Sequence, residues 1–170
     1  MAARTIALLG ANLLLYGLMQ GLNNALTPLG LSIYIGGLFI AFPALTLPPL
    51  NALIVILLSA FLIDAPLIIP FGTSALLFSF GFYLATLAEQ RIHYSLKTLT
   101  AVIAFTLNLG LFFCISLIAP ETSFSNPQQL KSLAINLVLS QTLLLIIAPW
   151  FLSFQQLLLH WAKTPTKERT

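Results

Sequence analysis

Asp64 is the only aspartate in the chain, and it lies directly beside a long apolar run. Ionisable groups at membrane depth are costly and are candidate functional groups by default. A carboxylate there could engage a partner or a substrate. Its place at the end of a run, two residues before Pro66, favours a plainer role: a carboxylate at an interface, tied to backbone N–H groups of the next loop or helix. An intramembrane aspartyl protease needs a second aspartate, and the sequence has none. Other chemistry is sparse. His93 and His160 stand near run ends without neighbouring acids or a thiol, which makes a poor metal site. Cys114 is the only cysteine and sits in an apolar run, so it forms no internal disulfide. No His-Glu-x-x-His, Gly-x-Ser-x-Gly or phosphate-cradling glycine loop occurs. The amides Asn108, Asn136 and Gln141 lie inside apolar runs, where such groups ordinarily bond one helix to another. The residues therefore point away from an enzyme, and no cofactor or metal is expected.

The elements that must position these groups follow from composition. Of 170 residues, 59% are hydrophobic and 6% charged, and the mean hydropathy is +1.00. A soluble domain carries roughly 25% charged residues, because its surface faces water. Lipid is the matching solvent here. In lipid every backbone group must be satisfied within a helix or a closed barrel. Barrel strands alternate apolar and polar residues, whereas this chain has long unbroken apolar runs, so helices are expected. The net charge is +3, but the bases neither cluster nor interleave with aromatics, which argues against nucleic acid as a partner.

Six apolar runs can be drawn, against the about 20 residues a helix needs to cross the hydrocarbon core. The first goes from Thr5 to Leu22 and ends at Asn23 and Asn24. The second opens at Pro28 and closes before Pro43, with Pro48 and Pro49 in the following turn. The third covers Leu50 to Ile63, the fourth Gly72 to Ala88, and the fifth Thr98 to Ala119. Glu89, Arg91, His93 and Lys97 make a short polar loop between the last two. After the longest polar loop, 120–129, the sixth covers Leu130 to Leu159, with a kink or break expected at Pro149. The chain thus divides into a six-helix transmembrane domain, 1–162, and a short basic tail, 163–170. Six spans put Arg4, Arg91, Lys97, Lys163, Lys167 and Arg169 on one side and Lys131 alone on the other. The positive-inside rule makes the six-base side cytoplasmic, so both termini are expected there. Trp150 and Trp161 read as interfacial anchors. Arg4 and its run also resemble a secretory signal. No small-x-small cleavage site follows, and the run is longer than a usual signal core, so it is read as a retained span.

The loop 65–72, Ala-Pro-Leu-Ile-Ile-Pro-Phe-Gly, is apolar although it joins two runs. It is expected to fold back into the bundle or to be covered by a partner, with Gly72 supplying a close approach or an unusual φ. The glycines Gly36, Gly37, Gly81 and Gly110 are expected at close helix crossings.

The stretch Leu-Ser-Ala-Phe-Leu-Ile-Asp64-Ala-Pro-Leu-Ile-Ile-Pro-Phe-Gly72 resembles the signature of the MreD family, the rod-shape-determining membrane proteins of bacteria. That family has a helix ending in small-x-Leu-x-Asp, and an apolar-Gly pair about eight residues on. Phe71-Gly72 fits the pair, and Pro28 and Pro43 fit the bounds of the family's second helix. Ala60 stands where the family usually has Gly, and Thr27 and Leu29 flank Pro28 where a charge is common. The resemblance implies a non-enzymatic scaffold of the peptidoglycan elongation machinery in the bacterial cytoplasmic membrane. Its partners would be membrane lipids, an MreC-like bitopic protein, and RodA with its transpeptidase and MreB. The residues it marks as partner-facing or structural are Asp64, Pro66, Pro70, Phe71, Gly72, Pro28 and Pro43. An alternative comes from another class. The substrate-binding subunits of energy-coupling-factor vitamin transporters also have six helices and little charge, and they look distantly similar to MreD. Small residues on their first helix serve docking, and Ala7, Gly10, Ala11 and Gly17 here fit such a pattern.

Overall fold

The computed structural model describes residues 2–66, 69–91, 95–119 and 127–162. Leu67 and Ile68 of the apolar loop, His93, most of the 120–129 loop and the basic tail, with Lys163, Lys167 and Arg169, lie outside the described residues. The regular structure among the described residues is helical throughout: α1 (Ala2–Leu26), α2 (Gly36–Thr46), α3 (Pro49–Asp64), α4 (Thr73–Arg91), α5 (Leu96–Ile118) and α6 (Pro127–Trp161). The first helix with its following turn, most of α5, and α6 are long and apolar enough to cross a membrane. The helices α2 and α3 are apolar but shorter.

The six runs are therefore not six equal spans. The helix α1 continues through Asn23 and Asn24 to Leu26. Pro28 does not open α2. It lies in a single 3-10 turn, Thr27–Leu29, which closes at Gly30 with φ 67°. Residues 31–35 have no regular structure, and α2 begins only at Gly36. Pro43 does not close α2 either; it lies inside the helix, which runs on to Thr46. Lys97, expected in a loop, falls in the first turn of α5. Pro149 leaves α6 unbroken over its 35 residues.

The short helix α2 is the centre of the molecule. Every residue from Gly36 to Ala44 is buried, including Phe39, Ile40 and Phe42. It packs most extensively against α5 and also against α3, α4 and α6. A helix that is apolar all round belongs in an interior, and only α2 is apolar and buried on every face. The outer helices turn large apolar groups outward as well, among them Leu14, Leu76, Phe80 and Ile146. An apolar exterior of this extent matches lipid as the surrounding solvent. In that solvent the interior is held by close packing and hydrogen bonds more than by the hydrophobic effect.

Close packing needs Gly37. A Cβ there would overlap the Ala104 carbonyl oxygen and lie 2.8 Å from the Asn108 nitrogen, so the α2 and α5 backbones meet directly. Gly81 similarly admits Ile40, and Gly36 lies under the Tyr34 ring. Gly110 contradicts the expectation, because a Cβ there meets nothing within 4 Å.

Arg4, Thr46, Leu96 and His160 line one cleft. The starts of α1 and α5 and the ends of α2 and α6 therefore share one end of the bundle. Asn23, Tyr34, Ile63, Ala119 and Asn136 line a cavity at the other end. Both ends of the described chain thus lie together. Trp150 and Trp161, both exposed, stand about 16 Å apart along α6.

Candidate functional site

The third and fourth helices meet through the Asp64 carboxylate. Asp64 is 2% exposed. Its Oδ2 accepts the Gly72 N–H at 2.8 Å, and its Oδ1 accepts the Ser74 N–H at 3.0 Å. The first N–H groups of a helix have no partner within it, and a negative charge is favourable at that end. The last residue of α3 thus caps the start of α4 across the loop. Gly72 has φ 94° and open space around its α-carbon, so it serves the turn and not a close approach. Two of the predicted residues, Asp64 and Gly72, are brought into one unit. Pro28 and Pro43 are not part of it.

Most of the described residues of the loop between them face outward. Ala65, Pro66, Pro70 and Phe71 are all exposed. Phe71, 72% exposed, stacks on Phe61 of α3 with ring centroids 5.5 Å apart and planes 14° apart. The buried cap therefore holds an outward-facing aromatic pair at the corner between α3 and α4.

Behind this corner lies the irregular segment 31–35. Irregular backbone at such depth must find partners for its N–H and C=O groups. Asn23 of α1 donates from Nδ2 to the Ile33 carbonyl at 3.0 Å and accepts the Ile33 N–H at 2.7 Å. Asn136 and Ser140 of α6 accept the N–H groups of Ser32 and Tyr34. Asn108 of α5 donates to the Tyr34 carbonyl at 3.0 Å and accepts the Gly37 N–H at 3.2 Å. Asn108 thus links α5 to the first turn of α2, as expected, and also serves the Tyr34 carbonyl, whereas Asn136 serves only a stretch of backbone that lacks a helix. Gln141 is 8% exposed, and neither of its amide atoms has a partner, which also corrects its reading as a link.

A second polar centre holds Pro43. Proline has no N–H for the carbonyl four residues earlier, which is that of Phe39. Asn12 of α1 donates Nδ2 to the Phe39 carbonyl at 3.2 Å and to Ser59 Oγ at 2.9 Å. Gln155 of α6 donates to Asn12 Oδ1 at 3.3 Å. Sequence reasoning missed Asn12, Asn23, Tyr34, Ser140 and Gln155. The signal was present for Asn12 alone: an amide inside one apolar run and a proline inside the next.

The cavity beside the 31–35 segment has a volume of about 320 Å³ and is lined by Asn23, Ser32, Tyr34 and Asn136 together with apolar groups such as Phe112 and Leu133. The Tyr34 hydroxyl is buried and has no hydrogen-bond partner. No group of three or more metal-ligating side chains occurs among the described residues. The chain matches no known protein family, and it has no significant match among curated proteins or solved structures.

Proposed function

We propose that this chain is a multi-pass protein of the bacterial cytoplasmic membrane, with six spans and cytoplasmic termini, and a non-enzymatic scaffold of the cell-wall elongation machinery. In this reading it docks an MreC-like bitopic protein and, through it, RodA with its transpeptidase and MreB. One observation carries the reading: Phe71 faces outward beside Gly72, whose N–H is held by the buried Asp64 cap. A rigid exposed aromatic pair is the kind of anchor that a partner helix buries. In this reading the segment 27–46 crosses as part irregular chain and part helix.

The test is co-purification of the tagged full-length chain from a bacterium with this machinery. Recovery of the MreC-like protein is expected, with loss of most of it on Phe71→Ser. Recovery unchanged by Phe71→Ser, or absence of any elongation protein, sinks the proposal.

A second reading, a vitamin-binding transporter subunit, is favoured by the cavity at Tyr34. Gly10 and Gly17 of α1 also leave open space beside them, as docking to a coupling subunit would need. A vitamin retained through purification, and lost on Tyr34→Phe or Asn136→Leu, decides for this reading.

A further inference from the structure

The end of the bundle opposite Asp64 carries its own site. A cleft of about 390 Å³ opens where α1 begins and α6 ends. Its polar groups are Arg4, Thr46, Gln156 and His160, and its apolar wall includes Phe42, Leu45 and Leu159. Among the described residues, no acidic side chain lines it. The acids of the described residues stand elsewhere: Asp64 is spent on the α4 cap, and Glu89 is exposed near the end of α4. Arg4 is half-buried, while His160 and the neighbouring Trp161 are exposed. The cleft is therefore amphiphilic, with a cation and neutral donors on one side and an aliphatic and aromatic wall on the other.

We propose that this cleft holds the phosphate of an anionic phospholipid headgroup. The Arg4 guanidinium supplies the charge and a planar fork that matches phosphate oxygens. The Gln156 amide and the His160 ring N–H supply further donors. The apolar wall takes the glycerol and the first methylenes of the acyl chains. Free phosphate shares the polar chemistry but has no use for that wall, which is why a lipid is the better occupant. The proposal rests on the reading that the bundle is embedded in a membrane, and not on its assignment to any machinery.

The experiment is native mass spectrometry of the full-length chain in detergent, titrated separately with phosphatidylglycerol, phosphatidylcholine and inorganic phosphate. Phosphatidylglycerol is expected to bind at least fivefold more tightly than phosphatidylcholine, since each base near a lipid surface contributes about fivefold. Arg4→Gln with His160→Gln should abolish the preference, Arg4→Lys should keep most of it, and Arg91→Gln, outside the cleft, should leave it intact. Equal binding of the two lipids overturns the proposal. So does a preference that survives in the double variant, or displacement of the lipid by millimolar inorganic phosphate. Carbonate extraction of membranes separates the two failures. A chain that is released sinks the membrane reading itself, while a chain that is retained without lipid preference sinks only the cleft.

Discussion

At the scale of single residues, the Asp64 carboxylate supplies acceptors for two N–H groups at the start of α4. Asn at this position keeps one acceptor oxygen and turns an NH₂ group toward the other N–H. One buried donor then loses its partner, at about 1–3 kcal/mol. Asp64→Asn is therefore expected to lower the midpoint of unfolding in mixed detergent–SDS micelles while still yielding folded protein. A midpoint equal to the parent would show that the carboxylate does not hold the corner. Gly72→Ala forces a Cβ into φ 94°, with an expected loss of about 1–2 kcal/mol in the same assay. Gln141 behaves in the opposite sense. Both its amide atoms are buried without partners, so Gln141→Leu is expected to be neutral or stabilising. A clear loss of stability would mean that it has a partner after all.

At the scale of elements, the interior is organised by what α2 lacks. An irregular segment precedes it where a longer helix would begin, and the helix itself contains a proline. The three neighbouring helices α1, α5 and α6 supply polar side chains in compensation. The Asn12–Pro43 relation can be isolated by a double-mutant cycle. Asn12→Leu leaves the Phe39 carbonyl unpaired in the parent, whereas Pro43→Ala gives that carbonyl a backbone N–H of its own. Asn12→Leu is therefore expected to be less destabilising in the Pro43→Ala background, with a coupling of about 0.5–3 kcal/mol. Strict additivity would show that Asn12 does not substitute for the missing N–H. Asn108→Leu strips partners from both Tyr34 and Gly37 and should be more damaging than Gln141→Leu.

At the scale of the whole molecule, Arg4 and His160 share one end of the bundle while Asn136 and Asp64 belong to the other. This arrangement makes a topology prediction for the proposed membrane protein. In a Cys114→Ser background, cysteines placed at Ala2 and Ala162 should be shielded from an impermeant thiol reagent in intact cells. A cysteine at Lys131 should be labelled. The reverse pattern, or labelling of only one chain end, would contradict six spans with cytoplasmic termini.

The sequence by itself determined the helical class, the apolar exterior and the general position of the helices. These follow from composition and from long apolar runs, which are local properties. The bounds of α3 and α5 were legible within two residues because Pro49, Asp64 and Ser95 punctuate them. The capping role of Asp64 was legible as one of two readings, since a carboxylate beside a helix start has few other donors to meet. Only the tertiary structure decided that Pro28 and Pro43 do not bound α2. The local penalty at Pro43 and the missing helix at 31–35 are offset by side chains of α1, α5 and α6, which lie far away in sequence. It was also only in three dimensions that Arg4 and His160, at opposite ends of the chain, came to line one cleft and Phe71 came to face outward. Apolar runs in lipid carry no inside–outside pattern, so the residues that face the interior are chosen by packing partners and not by periodicity.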